Sequence, residues 1–446
     1  MSAHHKALRT GLIAVSLILY FFIGYFTERD DFFLLLSQYT LLFLIYANLV
    51  FNKQQSAGEK LLFYSGLLFR MVFILAIPAL SNDFFRFIWD GRLIVSGNNP
   101  FLFLPREIID TPLGRAIDPG MILYEGMGDL QPHHYTCYPA LNQYLFAFSS
   151  LLFPNDLMGN VIMIRLIIIA FDTGTYFAGR KLLQRLGMSP RLIFIYFLNP
   201  LAIIELSGNL HFEGVMLFFL AVSMLFLLRH RILVSALMFS LSVSVKLIPL
   251  IFLPLFYRRF GLWLSLLYYA AVLMITILLF IPFLNVEMIF NFFDSIDLYF
   301  RKFEFNASIY YLVREIGYHI TGWNIISKAG PVLAGIVFLF TLGMALFRRN
   351  ENEQALFQSM LMVLTAYYFL STTVMPWYPI SLLFISLFTP YRYVIVWTFT
   401  LIFSYQAYSN PDWQEFLWVN ILGYFPVFML MIYELISKKY YRPINN

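Results

Sequence analysis

SNDFFRFIWDGRLIVSGNNPF, residues 81 to 101, sets carboxylates and guanidiniums directly after an apolar run. If residues 82–93 are helical, Asp83 and Asp90 stand close to two turns of 3.6 residues apart and share a face, with Arg86 about one turn from each. Two readings follow. Ionisable groups held at a membrane boundary are costly and mark a pathway or a site. The plainer one is a solvated juxtamembrane helix whose charges anchor it among headgroups.

Composition settles which solvent surrounds this stretch. Of 446 residues, 60% are hydrophobic and 12% charged, and the mean hydropathy is +0.73. That is more apolar surface than one soluble core can bury, so the chain is a polytopic, all-α integral membrane protein. The 19% aromatic content suits lipid-facing surface and interfacial belts. A single cysteine, Cys137, excludes an internal disulfide framework and a Cys-rich metal site. The net charge of +5 does not point to nucleic acid, because the basic residues sit in short loops between apolar runs.

Runs long enough for a helix of roughly 20 residues to cross hydrocarbon begin at 8–26, 32–51 and 61–80. MSAHHKALRT before the first run has no small-residue cleavage site after it and reads as a signal anchor with a cytoplasmic N-terminus. The acidic TERDD then lies outside, NKQQSAGEK inside, and Ser81 opens a long external loop, 81–138. Residues 139–153 and 161–178 precede the basic GRKLLQRLGMSPR; if both crossed, that segment would lie outside, against the positive-inside rule. We therefore expect 139–153 to be a reentrant or interfacial helix. Residues 232–256 start and end at basic residues, with Lys246, Pro249 and Pro254 between, and read as a broken hairpin that enters from the cytoplasm and returns. The remaining runs, 192–206, 213–228, 262–283, 327–347, 355–370, 377–389, 392–405 and 416–436, alternate to KKYYRPINN and place the C-terminus inside. This gives about twelve crossings. It divides the chain into a three-span segment 1–80, a core 81–260 and a C-terminal bundle 261–446 with its own external loop, 285–326.

The order of motifs resembles a family. Asp83 in SNDFFRF precedes a Gly-x-Asn-Pro-aromatic turn, GNNPF from Gly97. There follow YTCYPAL at Tyr135 to Leu141, an intramembrane acid at Asp172 before a basic end, and LNPLAIIELSGNLHFEG, then a span, then VKLIPLIFLPL. FNASIYYLVREIG from Phe305 and VMPWYP from Val374 extend the match more weakly. This is similar to the GT-C type glycosyltransferases that use polyprenyl-phosphate sugars. It resembles in particular the mannosyltransferase that adds the first mannose to GPI anchors and the bacterial polyprenol-phosphomannose-dependent mannosyltransferases. The eukaryotic members carry two Asp separated by one residue, where this chain has Ser81 and Asn82 before a single Asp83. A divalent cation is therefore left open, with no metal ligands assigned.

The resemblance implies transfer of a hexose, mannose above all, from a polyprenyl-phosphate donor in the bilayer. The acceptor is a hydroxyl of a glycan, glycolipid or protein at the external face of a bacterial inner membrane. An inverting displacement needs a base for the hydroxyl proton and positive charge for the departing phosphate. Asp83 is the candidate base, and Arg86, Arg92 and Lys246 are candidates for the phosphate clamp. Asp90 positions the sugar or pairs with Arg86. His211 and Glu213 bind the donor's sugar or phosphate, or cap the helix that follows. Trp377 and Tyr378 stack on a sugar ring or anchor the interface. Asp172 reads as a packing partner for Arg165 or a Tyr. The alternative from another class is a transporter or flippase for a lipid-linked or anionic substrate, with Lys246 and Asp172 as coupling charges; a noncatalytic assembly subunit is the third.

Overall fold

The computed structural model describes residues 3–52, 58–117, 119–410 and 412–437, with side chains from Ala7 onward. The basic C-terminal tail and most of NKQQSAGEK, on which much of the expected sidedness rests, lie outside the described residues. Among those described, regular structure is helical apart from one bridge between Phe305 and Thr373. Six helical stretches are long and apolar enough to cross a bilayer: Ala7–Tyr25, Phe32–Phe51, Leu157–Arg185, Ile248–Phe283, Ile326–Phe347 and Leu417–Ile436. A seventh span arises if Pro190–Phe197 and Pro200–Gly208, bent by 57° at Asn199, count as one. The protein is thus an all-α, multi-pass membrane protein.

The elements that matter for function are α1 (Ala3–Tyr25), α2 (Phe32–Phe51), α3 (Glu59–Met71), α4 (Asp83–Val95), α5 (Ala140–Leu152), α6 (Leu157–Arg185), α7 (Glu213–Leu228), α8 (Ile232–Val245), α9 (Tyr257–Phe280), α10 (Val286–Arg301), α11 (Ile309–Thr321), α12 (Ile326–Phe347), α13 (Glu353–Leu370) and α14 (Leu417–Ile436). Local chemistry fixes several of their ends. The Asp31 carboxylate accepts from Leu34 N at 3.4 Å to start α2, and Asn285 accepts from Met288 N at 2.6 Å to start α10. Gly322, at φ 81°, ends α11 in the left-handed region that a glycine enters without strain. One cluster of buried apolar side chains extends from Tyr20 to Val427 and joins all three of the segments drawn from the sequence.

Besides the bent 192–206, three expected crossings are not single α-helices, among them 392–405, where Tyr393–Thr400 passes into a 3-10 stretch, Leu401–Ser409. The apolar run 61–80 is not one helix: α3 stops at Met71 and turns lead to Asn82. The run 377–389 holds only a short helix, Ile380–Ser386. Residues 139–153 form α5, whose 13 residues span about 20 Å, short of the roughly 30 Å of hydrocarbon. Residues 232–256 reverse direction. α8 rises to Lys246, whose backbone is extended, and a proline-bearing 3-10 stretch, Ile248–Phe256, leads back. Phe256 packs 5.7 Å from Phe239 of α8 and 5.6 Å from Tyr268 of α9, and the Tyr268 hydroxyl meets Ser235 Oγ at 3.1 Å, one turn into α8. α10 and α11 each leave an apolar face exposed, with Val286, Phe290 and Phe293 on one and Leu312, Ile316 and Ile320 on the other. That pattern belongs to helices lying in a membrane interface.

Within this frame α4 is held tightly. Its Gly91 crosses α5 so closely that a Cβ there would lie 2.4 Å from the Phe146 carbonyl oxygen, and Phe87 stacks on Phe146 at 4.7 Å. α10 closes over the same region: Ser295 donates to the Thr136 carbonyl at 3.3 Å, and Asn291 donates to that of Phe101 at 3.0 Å.

Candidate active site

Asp83 opens α4, where the unpaired N–H groups of the first turn favour a negative charge. Gln131 donates to its Oδ1 at 2.8 Å and the Tyr138 hydroxyl to its Oδ2 at 3.3 Å. About 20% of the side chain stays exposed. The carboxyl is nonetheless deep enough that burial pushes its pKa up to about 6, against the opposing charge of Lys246.

Three other parts of the chain converge on this carboxylate. After the bend at Asn199, residues Ile203–Gly208 form a π-helical turn, and Leu210 takes a left-handed φ of 66°. A leucine there is strained, and both features are of the kind that mark functional sites. They bring His211 toward Asp83, with Nδ1 3.9 Å from Asp83 Oδ2. The imidazole stacks on Trp377 at 3.5 Å. Burial, and then the Lys246 charge, hold its pKa well below the usual histidine range, so it is a neutral ring. Glu213, first residue of α7, pairs with Lys246 at the apex of the α8 reversal. Lys246 Nζ also lies 5.7 Å from the Tyr378 ring. Among the described residues, His211 Nε2 and Glu213 Oε2 are buried without a hydrogen-bond partner. Buried polar atoms of that kind call for an explanation such as a ligand.

Six sequence candidates, Asp83, His211, Glu213, Lys246, Trp377 and Tyr378, therefore form one cluster. The other three stand apart in role. Arg86 gives its Nε to Asp90 at 2.8 Å and its Nη1 to the carbonyls of Gln131 and His134, both at 3.0 Å. Asp90 is fully buried and accepts from Gln143 at 3.1 Å. This pair ties α4 to the loop that carries Gln131. Arg92 is buried nine residues beyond Asp83, about 13 Å along the helix and on its opposite side. Asp172 finds a tyrosine, Tyr196, at 2.6 Å, but its cation is Arg70 at 2.6 Å. Arg165 spends its donors on the carbonyls of Ile74, Ser207 and Gly208. Among the described residues no three of His, Cys, Asp and Glu are grouped to hold a metal ion, so no step is routed through one.

Sequence reasoning missed Glu205, Gln131 and Tyr405. Glu205, buried in the π turn, accepts from the Tyr405 hydroxyl at 2.6 Å and from Asn209 at 3.0 Å, and its Oε2 lies 3.5 Å from His211 Nε2. An acid inside the apolar run LAIIELSG was the available signal.

The family model described as "Alpha-(1->6)-mannopyranosyltransferase, N-terminal domain" matches residues 32–259, just over half of the chain. The matched range holds Asp83, Glu205, His211, Glu213 and Lys246, while Trp377 and Tyr378 lie beyond it. The Alpha-(1->6)-mannopyranosyltransferase A of Corynebacterium glutamicum is 24% identical over 201 residues, 45% of this chain and 38% of that protein. The chain thus spans about two-fifths of the length of that relative. With the match running from α2 into α9 and enclosing the carboxylate, imidazole and ammonium of the pocket, the chain belongs to the alpha-(1->6)-mannopyranosyltransferase family defined by that N-terminal domain.

Proposed function

We propose that the protein is a GT-C type mannosyltransferase that moves mannose from a polyprenyl-phosphate donor to an acceptor hydroxyl at the external face of a bacterial inner membrane. The observation that carries this reading is the meeting of Asp83 with His211 at 3.9 Å, within reach of the Lys246 charge. Asp83 takes the acceptor proton as the hydroxyl oxygen attacks the anomeric carbon from the face opposite the phosphate, so that configuration inverts. The anomeric C–O bond breaks and its electron pair leaves with the phosphate. Lys246 stabilises that growing charge, the donor's phosphate competing with Glu213 for the ammonium. Trp377 and Tyr378 supply ring faces for the sugar. Arg86 and Asp90 hold α4 against the Gln131 loop and so position the base.

The same reading takes in about twelve crossings with the shorter apolar helix α7 among them and the α8 hairpin outside the count, both termini cytoplasmic, and 81–260 as the catalytic core. The acceptor is a glycan, glycolipid or protein hydroxyl. The experiment is transfer from polyprenyl-phosphate mannose to a short mannoside by the purified protein in detergent. Asp83→Asn abolishes transfer while the donor still binds; full transfer by that variant refutes the assignment of the base.

A further inference from the structure

Asp83 does not face His211 alone. Behind the imidazole stands Glu205, on the far side from Asp83, so that the ring lies between two carboxylates: Nδ1 at 3.9 Å from Asp83 Oδ2 and Nε2 at 3.5 Å from Glu205 Oε2. The arrangement is built. Tyr405 and Asn209 hold Glu205, the Trp377 indole fixes the ring plane, and His211 N donates to the Glu205 carbonyl at 3.1 Å across the strained Leu210. None of these contacts is needed to cap α7.

We propose that Glu205 and His211 form a proton relay behind Asp83, in which Glu205 is the terminal acceptor of the proton taken from the sugar hydroxyl. This rests on Asp83 being the base. The tautomer the relay needs carries its proton on Nε2, toward Glu205, across a 3.5 Å gap that is not a hydrogen bond in the resting site, and leaves the Nδ1 lone pair toward Asp83. In the resting site that lone pair and an ionised Asp83 repel, in keeping with their separation. Once Asp83 has taken the hydroxyl proton, its new O–H donates to Nδ1 and the gap closes, as catalytic hydrogen bonds do on reaction. The proton passes to Nδ1 while the Nε2 proton passes to Glu205 Oε2. The acceptor O–H bond has broken, the O–C1 bond has formed, the C1–O phosphate bond has broken toward phosphate, and the proton rests on Glu205. It returns through the partly exposed Asp83 to water when the products leave.

The groups facing the relay are named by the fold. Around Asp83 these are Gln131 and Tyr138 directly, with the charges of Lys246 and Glu213 across the pocket. Around Glu205 these are Tyr405, Asn209 and His211, with Tyr39 of α2 nearby. The charges of Glu213, which pairs with Lys246, and of Asp83 also reach Glu205.

Glu205 touches no substrate atom and is a positioning residue, so the test needs a readout that a packing role leaves unmoved. With polyprenyl-phosphate mannose and a short mannoside, the purified full chain carrying Glu205→Gln is expected to lose about a hundredfold in kcat. Its donor KM stays within about twofold, and the acidic limb of kcat/KM moves to lower pH because a carboxylate charge near Asp83 has gone. Tyr405→Phe, which removes one anchor of Glu205, gives the same changes in smaller measure. His211→Ala is rescued by added imidazole, which decides the matter if Glu205→Gln does not fold. Wild-type kcat with an unmoved limb in Glu205→Gln, or no imidazole rescue of a folded His211→Ala, overturns the relay. If Asp83→Asn is inactive while Glu205→Gln is normal, the relay alone falls; if Asp83→Asn is active, the assigned base falls with it.

Discussion

Asp83 occupies a position that costs the fold something, and that cost can be read by pH. A carboxyl raised to about 6 in the folded protein from an ordinary 3.8 binds a proton more tightly folded than unfolded. Its favourable share of stability is therefore present at low pH and lost as the pH climbs from about 4 through about 6. Asp83→Asn should then be more stable than the parent at pH 8, by about 2–3 kcal/mol at most, with the margin shrinking toward pH 5 in thermal unfolding in detergent. Activity runs the other way. The base must be ionised, so kcat/KM falls about tenfold per unit below pH 6 in the parent protein; a flat profile between pH 5 and 7 removes Asp83 as the base. Lys246→Ala should weaken binding of polyprenyl phosphate about tenfold to a hundredfold, the range for a charged hydrogen bond, and an unchanged Kd takes Lys246 out of the site. These residues were legible because a lone acid, imidazole or ammonium among apolar neighbours has few cheap places to be. The Arg70–Asp172 pair was half legible. Asp172 advertised a partner, and a tyrosine is there, but the arginine expected was Arg165 on its own helix and the one that pairs with it is Arg70 of α3.

At the scale of elements, α4 depends on one contact that has no slack. Gly91 lets α4 lie against the α5 backbone, where a methyl group would stand 2.4 Å from the Phe146 oxygen. Gly91→Ala should part the two helices at a cost of about 1–3 kcal/mol. Because Asp83 lies two turns away on the same helix, kcat should fall more than donor affinity, and steady-state kinetics with donor binding will separate the two. Gly91 gave no sign of this in the sequence, since a glycine in a helical pattern shows neither what crosses it nor how closely. The reversal at Lys246 was legible from charge, because basic residues at both ends of the apolar run 232–256 favour one side of a membrane. The break in 61–80 was not. An apolar run of that length reads alike whether it is one helix or a helix with an irregular tail, and Gly66, Arg70 and Pro78 inside the run do not mark where α3 stops. The π turn at Ile203–Gly208 was hidden for the same reason, and with it Glu205.

At the scale of the whole molecule, everything proposed for the pocket requires that its mouth and the α8 reversal's open end face opposite aqueous compartments. The geometry makes this one question, because α7 and α8 run between them: Glu213 and Lys246 meet beside Asp83 at one end, while Arg231 and Arg258 flank the other. Arg258 there donates to the Leu346 carbonyl at the end of α12, next to the basic pair Arg348 and Arg349. A protein with Cys137→Ser has no other thiol, and single cysteines can then be placed at the exposed positions Ser96, Arg231 and Arg258. In intact spheroplasts a membrane-impermeant maleimide should label the cysteine at 96 and spare those at 231 and 258, and inverted vesicles should reverse the pattern. Labelling of 231 and 258 from opposite sides would mean that α8 and the stretch after it form a single crossing. Labelling of 96 only in inverted vesicles would put Asp83 in the cytosol, where neither an externally presented acceptor nor the proposed direction of transfer fits the pocket.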